Sequence, residues 1–317
     1  MFLDDLRFSL NATMPVFLMM VFGYFCRRIG LLDEHTTTKI NRFTFRALLP
    51  ALLFADLSKS DFRSVWDSKF VFFCIGVTVL SISVASVYSL LHKDKAERGE
   101  IIQASYRSSA AVLGIAFVKN IYGDSLMAAL MVLGTVPLYN IAAVTVLSMT
   151  SPERKKNQKS TLVLDTIKGI ITNPIILGII VGMVWSVLRI PQPIILERSV
   201  SYLANMATPL SLIALGASFH TSEAKGRIRV TVGIVFIKLV LFCAAFLPAA
   251  IYLGFRGEKL IAILVMLGSA TTGSCFVMAK NLGHKGAITA FAVMLSTLCS
   301  AFTLTTWLFL LKRLEYI

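Results

Sequence analysis

Residues 106–120, YRSSAAVLGIAFVKN, place Arg107, Ser108 and Ser109 ahead of small residues running to Gly114, inside a segment otherwise suited to lipid. A second stretch of this kind, GSATTGSCFVMAKN over 268–281, carries Thr271, Thr272, Gly273 and Ser274. Small side chains let helix backbones approach closely, and hydroxyls can satisfy carbonyls and amides freed where a helix unwinds. Tight helix packing without a ligand explains either stretch taken alone. Half-helices beginning near Val112 and Gly273 would present amides and positive dipole ends, which favour a carboxylate. Arg107 lies about six residues, or ~9 Å of rise, from the inner start of its segment. It either snorkels to the inner surface or faces the interior, where a buried cation needs a counter-charge that an organic anion would provide. Asn140 either lines the same cavity or hydrogen-bonds between helices. Lys238 either lines the pocket or snorkels, and Asp56 reads as a solvated or Lys59-paired carboxylate near an outer end.

These residues must be positioned by membrane-length helices. The 317 residues are 56% hydrophobic and only 15% charged, with a mean hydropathy of +0.76, which defines an all-α polytopic membrane protein. A spanning helix needs about 20 mostly apolar residues. Ten segments of roughly that length are predicted, at 9–26, 40–57, 69–91, 101–119, 125–149, 167–188, 200–219, 230–253, 260–279 and 287–311. The first follows an acidic start without a small-residue cleavage site and reads as a retained helix.

The formal charge of +14 is spread over short loops, which argues against a nucleic-acid partner. If the loops alternate sides, one side holds 17 Lys and Arg residues and the other 11. The positive-inside rule makes the first side cytoplasmic and turns both termini outward, in a multi-pass protein of the cell membrane. The basic run SPERKKNQKS reads as a solvated linker at 151–166. The five cysteines fall in or at the ends of spans and imply neither disulfides nor a metal site. The four histidines, His35, His92, His220 and His284, lack zinc spacing.

The linker separates a first five-helix repeat at 1–150 from a second at 167–317, and the halves echo each other. Pro15, Leu18 and Gly23 recur as Pro174, Leu177 and Gly182, and Pro50, Leu53 and Ala55 recur as Pro209, Leu212 and Ala214, all at an offset of 159. Lys119 and Asn120 recur as Lys280 and Asn281 at 161. A unit with an odd number of spans ends on the side opposite its start, so its second copy is inverted. Inverted repeats with interrupted helices near the midplane are an architecture of secondary transporters. The fourth span of each half is its weakest apolar segment, and spans four and nine are therefore expected to be broken and crossed. Pro15, Pro50, Pro174 and Pro209 are expected as structural kinks.

The motifs RFTFRALLPALLFADLS, YRSSAAVLGIAFVKNIYG, VPLYN, TNPIILGIIVG, ATPLSLIALGAS and TTGSCFVMAKNLG together resemble the auxin efflux carrier family of permeases, in its bacterial branch. The resemblance covers essentially the whole chain. It implies a ten-helix fold like that of bile-acid and sodium symporters, a scaffold of spans one, two, six and seven, and a crossover of spans four and nine. It also implies elevator-like alternating access, often in a homodimer. Plant members export auxin, a weak organic acid, and bacterial members include malate and malonate carriers. The sequence departs from the family at three places: Ser109 stands at a usual Asn, and Ala116 and Ala270 stand at usual prolines.

The implied function is secondary-active or facilitative permeation of a small organic anion such as a dicarboxylate. The expected substrate residues are Arg107, Ser108, Ser109, Gly114, Asn140, Thr271, Thr272, Gly273 and Ser274. No cofactor or metal is implied, and a coupling ion, Na+ or H+, stays open because broken-helix carbonyls can bind sodium without a carboxylate. There is no intramembrane acidic pair and no nucleotide-binding glycine loop with its lysine. A non-transporting ligand sensor is the alternative, and an enzyme is disfavoured because no His, Cys or acidic cluster sits at mid-depth.

Overall fold

The structure is a computed structural model that describes residues 2–58, 66–110, 118, 121–122, 126–152, 172–219 and 226–317. Among these residues the regular structure is helical throughout, without strands. The chain runs through α1 (Phe2–Arg28), α2 (Glu34–Phe43), α3 (Leu49–Ser58), α4 (Ser68–Leu90), α5 (Arg98–Tyr106), α6 (Leu126–Thr150) and α7 (Pro174–Val187). It continues through α8 (Ile194–Ala217), α9 (Ile228–Phe236), α10 (Phe242–Tyr252), α11 (Gly257–Gly268), α12 (Ser274–Asn281) and α13 (Ala287–Arg313). Each predicted segment has a helix or pair of helices within it. Five stretches are individually long and apolar enough to cross a membrane: Ser68–Leu90, Leu130–Thr150, Ile194–Ala217, Ile228–Tyr252 and Ala287–Arg313. Most of the predicted linker, from residue 153 on, lies outside the described residues.

Helix starts follow local chemistry. Asp33 accepts a hydrogen bond from the Thr36 amide at 2.7 Å, and Asp67 accepts one from Phe70 at 3.0 Å. Each carboxylate meets an amide that the helix itself leaves unpaired. Asn173 does the same for α7, accepting from the Ile175 amide at 2.9 Å. Pro174 therefore opens α7 rather than bending it, where its missing N–H costs nothing. Pro15 and Pro209 lie inside α1 and α8. Pro50 follows a π-turn, Thr44–Leu48, that joins α2 to α3. A proline cannot donate to the carbonyl four residues back and clashes with it, and the widened turn accommodates that loss. A second π-turn, Ile237–Leu241, joins α9 to α10 and contains Lys238.

Two helix pairs pack by the same device. A Cβ on Gly23 of α1 would run into the backbone of Ile213 in α8, and one on Gly182 of α7 would meet the Phe54 Cα of α3 at 3.1 Å. Gly23 and Gly182 are 159 residues apart, and so are Phe54 and Ile213. Gly216 against Met20, and Gly178 against Pro50, tighten the same two pairs. Such contacts between backbones are how membrane helices gain packing energy without a hydrophobic drive.

Polar contacts gather at the two ends of the helices. At one end Lys259 pairs with Asp67, and the Glu258 carboxylate accepts from the Met127 amide at 2.9 Å. At the other, Arg227 pairs with Glu97 at 2.6 Å, and the His284 ring bridges the carbonyls of Ala96 at 3.0 Å and Leu147 at 2.9 Å. There the buried Glu100 carboxylate accepts from the amides of Gly286 and Thr289 at 2.9 and 3.0 Å and caps α13 from α5.

Candidate anion site where two interrupted helices meet

Both weak apolar segments are interrupted where their residues permit it. Helix α5 ends at Tyr106, and Arg107 turns extended at φ −75°, ψ 126°. Helix α11 ends at Gly268, Ser269 is extended at φ −78°, ψ 160°, and α12 restarts at Ser274 with Gly273 as its N-cap. No proline is needed, since Ala270 stands inside the second break. The backbone groups freed by the breaks partner each other. The Ser109 amide donates to the Ala270 carbonyl at 2.9 Å, and the Thr271 hydroxyl donates to the Ala104 carbonyl at 2.9 Å. The Thr271 amide donates to Ser296 Oγ of α13 at 3.0 Å, and Gln103 Nε2 donates to the Cys275 carbonyl at 3.0 Å. Buried backbone groups left without partners would each cost on the order of 1–3 kcal/mol, so these exchanges are what make the interruption tolerable.

A cavity of about 70 Å³ opens at this meeting point. Its wall includes Arg107, Ser108, Ser109, Asn140, Thr272, Gly273 and Ser274, which brings together seven of the nine residues expected from the sequence. Gly114 lies outside the described residues. Thr271 does not line the cavity: its hydroxyl is spent on the Ala104 carbonyl. The opposite wall, from α3 and α8, includes Asp56, Thr208 and Ser211, which sequence reasoning did not select. Only the register of those two helices against the breaks reveals them.

Arg107 faces the interior and is 3% exposed. Its Nη2 donates to Asn140 Oδ1 at 2.9 Å and Ser274 Oγ at 3.2 Å, and its Nη1 lies 2.7 Å from the Met278 sulfur. Its Nε is buried without an acceptor, and among the described residues the guanidinium pairs with no carboxylate. Asn140 is oriented by its own Nδ2, which donates to the Val136 carbonyl at 2.8 Å. Lys238 is fully buried, and its Nζ donates to Ser108 Oγ at 2.8 Å. Both snorkelling alternatives are thereby answered. Arg107 and Lys238 both reach the first break, Arg107 within it and Lys238 behind Ser108. The second break contributes neutral groups and the amino end of α12, a positive dipole end.

Five helical stretches long and apolar enough to cross a membrane, beside shorter helices that end at a polar cavity, fit a membrane transport protein. The membrane transport protein family matches residues 8–308, and the chain belongs to this family, that of the auxin efflux carriers. A "Putative malonate transporter" of Rhizobium meliloti (strain 1021) is 26% identical, with 95% of each chain covered. "Uncharacterized transporter YfdV" of Escherichia coli (strain K12) is 20% identical over 83% of this chain and 85% of the relative. An "Uncharacterized transporter" of Methanothermobacter thermautotrophicus is 18% identical over 94% of this chain and 97% of its own. The protein is a transporter and not an enzyme.

Proposed function

We propose that the protein is a permease for a small organic anion whose carboxylate binds at the meeting of the two breaks. The observation that carries this reading is Arg107, a buried guanidinium beside the cavity with an Nε donor lacking an acceptor and no acidic partner among the described residues. A charged side chain at the bilayer centre costs about 2.5–3.5 kcal/mol on insertion scales, and a bound carboxylate would offset that cost while supplying the missing acceptor. Lys238, bonded to Ser108 behind the first break, adds a second basic group that favours an anion over a neutral ligand. Malonate, in the name of the relative from Rhizobium meliloti, is the first substrate to test.

The architecture in this reading has ten spans in two inverted repeats, 1–150 and 167–317, with spans four and nine broken and crossed. The paired Gly23–Ile213 and Gly182–Phe54 contacts at one offset support it, as does the segregation of loop contacts to two ends. Helices α1, α3, α7 and α8 form the scaffold, and the unit carrying both breaks moves against it in elevator fashion, within a homodimer of the cell membrane and with both termini outside. Transport in this reading is facilitative, or secondary-active with Na+ or H+ as the coupling ion. Uptake of labelled malonate, malate and succinate into proteoliposomes, by wild type beside Arg107→Gln, tests the site. Flux that requires Arg107 is the expected result, and equal flux by both proteins overturns the reading.

A further inference from the structure

A larger cavity than that at the crossing lies elsewhere. About 300 Å³ in volume, it sits between α1, α2 and the carboxyl end of α8 on one side and α12 and the start of α13 on the other. Arg27, Lys280 and Lys285 line it, and among the described residues Glu34 is its single acidic group and none of the three cations forms an ion pair. Asn41, also in the wall, is 4% exposed, and its Oδ1 is buried with no hydrogen-bond donor. Its backbone carbonyl already accepts from Asn281 Nδ2 at 3.2 Å, so the unmet need belongs to the side chain alone.

These features ask for two things at once. Three unpaired cations call for an oxyanion, and a buried acceptor without a partner calls for a hydroxyl or N–H donor. The volume corresponds to about ten waters at ~30 Å³ each, which accommodates a four- to six-carbon acid. Lys280, Lys285 and Glu34 are exposed, so the cavity is reachable from solvent.

We propose that this cavity is a second anion-binding site, distinct from the crossing cavity, that takes a hydroxylated di- or tricarboxylate, with its carboxylates on Arg27, Lys280 and Lys285 and its hydroxyl donating to Asn41 Oδ1. Its wall is built from two groups of helices, α1, α2 and α8 against α12 and α13, so an occupant bridges them. The site shares no lining residue with the crossing cavity, and the proposal does not depend on what binds there.

Titration calorimetry of the purified full chain in uncharged detergent, with malate and its deoxy analogue succinate as probes, tests it. In Arg107→Gln, whose crossing site is disabled, malate binding is expected to persist, to weaken about 10-fold or more when Lys280→Gln/Lys285→Gln is added, and to exceed succinate binding about 5-fold. Asn41→Leu is expected to bind both acids equally. An unchanged malate affinity in the double lysine variant, whose substitutions are on exposed side chains, overturns the proposal. So does loss of all binding in an Arg107→Gln protein that retains its helical spectrum. Nanodiscs with and without phosphatidylglycerol, which offers phosphate and hydroxyls, separate the sources: displacement of malate by this lipid, abolished by the lysine substitutions, identifies a headgroup as the native occupant of the same site.

Discussion

The two breaks are alike in shape and unlike in chemistry. At 107–109 the break is charged, with Arg107 extended within it and Lys238 bound to Ser108. At 269–273 the break is neutral, with Ser269 extended and Gly273 already in helical geometry, and it offers Thr272, Gly273, Ser274 and the start of α12. The division separates two tasks that one segment would perform badly. In the proposed anion site, charge would supply strength, while fixed hydroxyls and a dipole end would supply direction at little desolvation cost. The two breaks also share backbone hydrogen bonds, Ser109 amide to Ala270 carbonyl and Thr271 hydroxyl to Ala104 carbonyl, while Ser296 of α13 accepts from the Thr271 amide.

Removing the charge from the first break gives the largest effect. Arg107→Gln is expected to reduce dicarboxylate flux about 100-fold, while the helical content by circular dichroism stays at the wild-type level. Next comes the cation behind it: Ser108→Ala leaves the Lys238 ammonium without its hydrogen bond, and flux is expected to fall about 10-fold. The neutral break should respond differently at neighbouring positions. Thr271→Val removes the partner of the Ala104 carbonyl and is expected to lower stability by about 1–3 kcal/mol in thermal melts. Thr272→Val, on the cavity wall, is expected to leave the melt unchanged and shift flux about 3-fold. If Thr271→Val instead changes flux without touching stability, the assignment of the two threonines is reversed.

The smallest effect lies away from both breaks and serves as their control. The Lys259 ammonium and the Phe70 amide hold the Asp67 carboxyl below its ordinary value. A carboxylate lowered on folding stabilises the protein above its unfolded value near 3.9, and that contribution is lost as pH falls through the lower folded value. The pair is partly exposed, so Asp67→Asn is expected to cost about 0.2–1 kcal/mol at neutral pH and progressively less as pH falls below about 3.9. Flux through the crossing cavity should be unaffected.

Much of this was legible in the sequence, for physical reasons. Apolar runs of membrane length locate the helices because lipid penalises polar interruptions, and the same penalty makes the small, hydroxyl-rich stretches after Arg107 and Gly268 conspicuous as breaks. Other features depend on three-dimensional register. Lys238 reaches Ser108 across 130 residues from a π-turn that leaves no sequence mark. Asp56, Thr208 and Ser211 join the cavity because of how α3 and α8 rotate against the breaks. Thr271 and Thr272 are neighbours of one type, and only the fold shows which hydroxyl is spent internally. Pro174 looked like a kink because its partner at the repeat offset, Pro15, lies mid-helix, whereas Asn173 makes Pro174 a helix start.

The central claim is that an anion sits between the two breaks against Arg107. A crystal structure with bromomalonate, located by the anomalous signal of its bromine, tests this most directly. The account predicts a peak within the cavity bounded by Arg107, Asn140 and Ser274, absent from Arg107→Gln crystals. A peak that persists there in the variant, or wild-type crystals with bromine only elsewhere, would contradict it.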